Sequence, residues 1–249
     1  LLKRNGFVVF IVVLVLLLDQ SSKFWIKTNM FLDQEYKVFD WFRIHFIENP
    51  GMAFGLEFGG SYGKLFLTLF RVVAVIVIGF IIRQLTQKKV SFGILFGMAM
   101  IMAGAIGNII DSIFYGVLFS ESPRYSNTIA SFLPFTQQLS SLDWSQMFYG
   151  KVVDMLYFPL VKTYWPDWVP YFGGSRLEFF RPVFNIADSA ISIGIFYLLL
   201  FHRSFFTQGD ENQKEEEAVP LENKTEPVVI PPIDDATLNT ELLSDIEEE

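Results

Sequence analysis

The most constraining feature of this chain is an apolar run, 186–201, that opens on a carboxylate: Phe184-Asn185-Ile186-Ala187-Asp188-Ser189. The run is long enough to cross much of a bilayer, and in hydrocarbon a backbone must satisfy its own hydrogen bonds, which commits it to helix. A carboxylate at its mouth loses part of its water shell and needs a reason to be there. One reason is capping, since Asp and Asn accept hydrogen bonds from the free N–H groups of a first helical turn. A sharper reason is a second carboxylate facing it. Asp154, in Lys151-Val152-Val153-Asp154-Met155, is the candidate. Two such groups in a partly dry site can share one proton, leaving one acid and one base, an arrangement able to activate water against a peptide bond.

Three further runs fit the same solvent. Residues 6–18 are almost continuously apolar behind Lys3 and Arg4. They look like a secretory signal, but Asp19-Gln20-Ser21-Ser22-Lys23 follows instead of a small-residue cleavage site, so a retained span over about 6–26 is expected. Residues 64–83 form a second span and 92–111 a third, whose Gly93, Gly97, Gly104 and Gly107 make a small-residue face for close helix approach. The fourth is 186–205, closed by His202 and Arg203. Four spans of this length suit a bilayer. The excess of Lys and Arg on cytoplasmic loops places Lys3, Arg4, the 83–89 loop and Arg203 inside, with both termini. Residues 24–63 and 111–185 then lie outside, where Lys23, Lys27, Arg176 and Arg181 run against the rule. Between the first two spans, 38–47 alternates roughly between apolar and polar residues and predicts short strands at a membrane surface. The aromatic stretch 117–150 predicts an outer-face cap.

Composition separates a body from an appendage. The chain is 51% hydrophobic, with 28 Phe among 249 residues and a net charge of −8. Residues 208–249 carry 14 acidic groups and two lysines, so the acidity belongs to a tail and residues 1–207 are mildly basic. That tail has the composition of a disordered segment. With no cysteine, thiol catalysis and disulfides are excluded. The only two histidines, His45 and His202, lie far apart, so no histidine-rich metal site is expected. There is no phosphate-binding glycine loop, and neither a cofactor nor a nucleic-acid partner is called for; one copy of the chain suffices.

The remaining polar positions share one side of the membrane. Asp19 and Lys23, four apart, can pair on one helix face. Asn49-Pro50-Gly51-Met52-Ala53-Phe54-Gly55 reads as a tight turn, or as a loop that grips a substrate. Asn108 and Asp111 sit at the outer end of the third span, where the helix dipole disfavours an Asp, so a partner or a function is expected. With Asp154 and Asp188 these positions gather at the outer ends, and the middles of spans two and three are expected to lack charge. A transporter with intramembrane carboxylates would instead distribute them through the membrane depth.

Five blocks in this order resemble the signal peptidase II family, the lipoprotein signal peptidases of bacterial inner membranes. They are Asp19-Gln20-Ser21-Ser22-Lys23, Asn49-Pro50-Gly51-Met52-Ala53-Phe54, Gly104-Ala105-Ile106-Gly107-Asn108-Ile109-Ile110-Asp111, Val152-Val153-Asp154 and Phe184-Asn185-Ile186-Ala187-Asp188-Ser189. The resemblance implies an all-α membrane protein: four transmembrane helices with a small β-rich surface cradle and, here, an outer-face insertion over about 112–151. It implies an aspartic endopeptidase that cleaves prolipoproteins before a diacylglyceryl-modified cysteine, on the outer side of the membrane. Carried onto this chain, Asp154 and Asp188 are catalytic. Asn49, Gly51, Asn108, Asp111, Asn185 and Ala187 bind substrate or support the pocket, and Asp19 and Lys23 are structural. Ser112 stands where the family usually has Arg after the Asp, so a contact made by that Arg is either lost or supplied elsewhere, by Arg124, Arg176 or Arg181.

Overall fold

A computed structural model describes residues 2–50, 60–159, 161–179 and 182–203. The turn carrying Gly51, and the acidic tail, lie outside the described residues. Helix α1 (Leu2–Asn29) leads into a hairpin of β1 (Glu35–Phe39) and β2 (Phe42–Asn49). Helices α2 (Gly60–Gln87) and α3 (Phe92–Ile110) follow. After the aromatic segment 119–151 come β3 (Val152–Tyr157), a separate hairpin of β4 (Val161–Tyr164) and β5 (Arg176–Phe179), then β6 (Val183–Phe184) and α4 (Ile186–Phe201). The first three helices are each long and apolar enough to cross a membrane, and α4 is a shorter apolar helix. The result is a mostly helical membrane protein carrying a small antiparallel sheet.

Helix α3 is the centre, packed against α1, α2 and most extensively α4. Its small residues permit this. A Cβ on Gly104 would strike the backbone carbonyl of Ala187, and one on Gly107 would lie 2.7 Å from Asp19 Oδ2. The backbones of α1, α3 and α4 therefore converge at one level, where the polar residues lie.

The small sheet draws strands from both sides of α2 and α3. Its order is β1-β2-β3-β6, all antiparallel, so the strand carrying Asp154 is central rather than peripheral. Pairing of Ile47 with Asp154 and of Leu156 with Phe184 fixes Asp154 beside Asn185, the residue that joins β6 to α4.

The third span does not end at Asp111. The helix widens there into a π-helical turn, Asp111–Tyr115, and runs on through Leu118. Asp111 is thus interior to the helix, and no exposed C-terminal dipole acts on it. Such single π turns recur at functional sites. The aromatic segment after it closes on itself: Gly150 N donates to Ser112 O at 2.9 Å and Phe148 N to Ile113 O at 3.1 Å. Its ends meet where it begins, so a long segment is accommodated without moving β3. Tyr115 and Phe119 bind it into a core with Ile26, Met30, Phe46, Val153 and Met155.

Candidate active site

The site grows from three elements that each deliver one carboxylate or its holder. Strand β3 carries Asp154, which is only 3% exposed. The first turn of α4 carries Asp188. Asn185 connects them: its Oδ1 accepts from Asp188 N at 2.8 Å as the helix cap, and its Nδ2 donates to Asp154 Oδ1 at 2.7 Å. The capping role and the site role therefore belong to one side chain. Asn108, from α3, donates from Nδ2 to Asp188 Oδ1 at 2.7 Å, and its Oδ1 accepts from Asn185 at 3.1 Å. Asn49, at the end of β2, also hydrogen-bonds Asp154.

Burial pushes the Asp154 carboxyl up to about 7, and the neighbouring Asp188 charge adds to that rise; the amides of Asn185 and Asn49 and the Lys23 charge oppose it. Burial disfavours the charged form and a second carboxylate does the same, so both dominant causes favour a protonated Asp154.

Beneath this pair lies a buried ionic layer. Lys23 Nζ is 2.8 Å from Asp19 Oδ2, 2.8 Å from Asp111 Oδ2 and 3.1 Å from Asn108 Oδ1. An ammonium has three protons, and here three acceptors face it. Asp19 Oδ1 accepts from Ala187 N at 2.8 Å, and Asp111 Oδ2 from Val153 N at 3.3 Å. The two carboxylates thus hold the backbones of α4 and β3, next to Asp188 and Asp154. Of the predicted residues, the structure brings together Asp19, Lys23, Asn49, Asn108, Asp111, Asp154, Asn185, Ala187 and Asp188; Gly51 lies outside the described residues.

Two members were not anticipated. Gln20 Nε2 reaches Asp111 Oδ1 at 2.9 Å and Asp19 Oδ2 at 3.0 Å, a bridge masked by its place between two more conspicuous charges. Arg71 lies in the α2 span, which was expected to lack charge at its middle; the structure corrects that expectation. Its Nη1 is 3.4 Å from Ser112 Oγ, and Asp188, Asp154 and Asp111 are the carboxylates that act on its charge. Of the cations proposed to replace the family Arg, Arg124 is exposed, while the Arg176 side chain and Arg181 lie outside the described residues. An arginine inside an otherwise apolar span was the available signal. Among the described residues, no three His, Asp or Glu side chains converge as a metal-ligand set.

The comparisons with known proteins agree in kind. A family described as signal peptidase (SPase) II matches residues 11–205. The chain is 47% identical over 199 residues to a lipoprotein signal peptidase of Porphyromonas gingivalis, covering 80% of this chain and 84% of that one. It is 35% identical over 202 residues to one from Amoebophilus asiaticus, covering 80% and 78%, and 30% identical over 188 residues to one from Syntrophus aciditrophicus, covering 75% and 86%. A solved bacterial membrane enzyme aligns with a TM-score of 0.48 at 22% identity, over 79% of this chain and 94% of that one. With the family matched from within α1 to the end of α4, and relatives aligned over most of their length, the chain belongs to the signal peptidase II family.

Proposed function

We propose that this signal peptidase removes signal peptides from prolipoproteins through an aspartic dyad of Asp154 and Asp188, cutting before a diacylglyceryl-modified cysteine. The observation that carries the reading is the shared amide scaffold. Asn185 holds Asp154 Oδ1 and Asn108 holds Asp188 Oδ1, and the two amides bond each other, so one network sets both carboxylates where a water and a scissile carbonyl would meet them. Asp154, buried and pushed up to about 7, keeps the proton and hydrogen-bonds the carbonyl oxygen. Asp188, less buried and held by an amide donor, takes the proton of the attacking water. The proton on Asp154 then passes to the leaving amine. General acid–base transfer of this kind contributes roughly 10²–10⁴-fold. Gly51 and Asn49 belong to the loop that would hold the substrate backbone.

Four spans, with both termini cytoplasmic and the dyad at the outer surface of the inner membrane, fit this role. Arg4 donates to Val90 O and lies 4.9 Å over the Phe92 ring, so the basic start of α1 and the α2–α3 turn share the end opposite the dyad. Two of the cations that run against the positive-inside rule, Lys23 and Lys27, are ion-paired within the protein. A monomer embedded in lipid suffices, with apolar helix faces taking the acyl chains. The test is cleavage of a purified diacylglyceryl prolipoprotein in detergent by wild type, Asp154→Asn and Asp188→Asn. Each variant is expected to lose at least about 10³-fold in kcat while remaining folded. Full cleavage by either variant would remove it from the dyad.

A further inference from the structure

An arginine inside a span is costly in hydrocarbon and persists where the protein or a ligand uses it. On α2, Lys64, Thr68 and Arg71 fall four and three residues apart and share one helix face. That face is turned from lipid: Thr68 is buried and the two cations half-buried, while Phe66, Leu69, Phe70 and Val73 are exposed. Both cations reach the clasp that closes the aromatic segment. Lys64 Nζ donates to Tyr149 O, and Arg71 Nη1 lies 3.4 Å from Ser112 Oγ. Gly150 N, next to Tyr149, donates to Ser112 O at 2.9 Å.

Arg71 is left with donors to spare. Ser112 gives its own proton to Asn108 O at 2.8 Å, so it offers the guanidinium a lone pair and nothing more. A guanidinium carries five N–H donors. Among the described residues Ser112 Oγ is the one acceptor that Arg71 holds. Among those residues, too, Arg43 Nε is the only buried side-chain polar atom without a partner, so the remaining donors of Arg71 are open rather than sealed in. A short bonded path joins this place to the dyad. Asn108, whose carbonyl takes the Ser112 proton, holds Asp188 Oδ1 through its amide at 2.7 Å. Ser112 also stands where the family usually has an arginine, and here a guanidinium from the neighbouring helix rests on it.

We propose that Arg71 supplies, from α2, the cation that the family carries at position 112, and that its open N–H groups hold a carbonyl oxygen of the substrate beside the dyad. The inference rests on the dyad reading above. Carbonyls are what these donors suit, since a guanidinium donates in a planar fork and never accepts. The substrate offers carbonyl oxygens in its peptide and in its two acyl esters.

The experiment is cleavage of a diacylglyceryl prolipoprotein in detergent by Arg71→Met, Arg71→Ala and the double variant Arg71→Met/Ser112→Arg, with thermal unfolding of each and Asp154→Asn and Asp188→Asn as controls. Arg71→Met should lose on the order of 10–100-fold in kcat/KM. It should melt no lower than wild type, because its loss removes a charge from a span. Returning an arginine at position 112 in the double variant should recover most of the loss. Ethylguanidinium added to Arg71→Ala should do the same and asks nothing of residue 112; recovery by either route supports the inference. A substrate with ether-linked chains has no ester carbonyl, so an unchanged penalty there assigns the peptide carbonyl and a vanished one the ester. The inference is overturned by a folded Arg71→Met that cleaves like wild type, by a loss of activity that follows a lowered melting temperature, or by a loss that neither route restores. If Asp154→Asn or Asp188→Asn retains cleavage, the dyad reading fails instead. If both are dead while Arg71→Met is fully active, only the role of Arg71 falls.

Discussion

Lys23 and Lys27 lie one turn apart on the same face of α1, both buried and both paired, yet they serve different ends. Lys23 is surrounded on all three protons by groups that reach the dyad: Asp19 holds Ala187 N, Asp111 holds Val153 N, and Asn108 holds Asp188. Lys27 pairs with Glu48 from β2, shares Ser122 with it, and lies 5.6 Å from the Phe119 ring. Its partners join the sheet to the aromatic segment that carries Ser122. Lys151 adds a second, half-exposed cation to Glu48 at 3.2 Å. The first lysine has no understudy; the second does. A turn of helix therefore separates a charge bound into the network around Asp154 and Asp188 from one that fastens a loop.

Removing each ammonium should expose that difference, and this is the largest effect expected. Lys23→Met leaves Asp19 and Asp111 buried and unpaired, which costs about 3–5 kcal/mol. It also frees the backbones they hold, so residual folded protein should be nearly inactive. Lys27→Met leaves Glu48 with Lys151 and Ser122 and should cost about 1–2 kcal/mol, with most of kcat retained. Thermal unfolding in detergent, with kcat measured on the folded fraction, checks both. Equal losses of activity would abolish the distinction between the two neighbourhoods.

The two neighbourhoods differed in how far the sequence disclosed them. Asp19 with Lys23, and Asn108 with Asp111, announce themselves by helical spacing, because side chains three or four apart meet on one face. Asn185 and Asp188 do so by the same rule at a helix start. The spans follow from their apolar length, although α1 and α2 extend several residues beyond the expected limits. Lys27, Glu48, Ser122 and Lys151 come from four distant segments, and only strand register and loop closure bring them together. The position of Asp154 in the centre of a sheet is hidden for the same reason, since β3 is buried on both faces and shows no alternation. The separate β4–β5 hairpin was not anticipated at all. Arg71 was overlooked because a span is judged by its average, while one charge is decisive only when its target is known.

A second test uses the carboxylates. The Asp154 carboxyl is raised from its ordinary value, chiefly by burial and then by Asp188, to about 7. A raised acid binds its proton more tightly when folded, so its contribution is present at low pH and is lost as pH rises through the folded value. Above about pH 7 the wild type must bear an ionised Asp154 beside Asp188. Asp154→Asn should therefore be inactive yet more stable than wild type at pH 8, by on the order of 1–2 kcal/mol, with the gap narrowing towards pH 5. Stability curves of both proteins against pH decide it. A variant less stable at every pH would mean that Asp154 is held chiefly for structure.

Glu48 should behave with the opposite sign and a smaller amplitude. Burial alone would raise its carboxyl, but Lys27, bonded to it together with Ser122, and then Lys151 hold it below its ordinary value. A depressed acid contributes stability that is complete above its unfolded value and is lost as pH falls through the folded one. Glu48→Gln should thus be less stable than wild type at neutral pH, by about 1 kcal/mol, because Lys27 is left buried without its counter-charge while Ser122 and the Phe119 ring still face it. The deficit should close as pH falls below the ordinary range of a glutamate, where the wild type gains its proton. The dyad lies on the other side of β3, so kcat should change less than about twofold. A deficit that persists unchanged in acid would mean that Glu48 acts through packing and its bond to Ser122. In that case the contrast between the two lysines would rest on shape rather than charge.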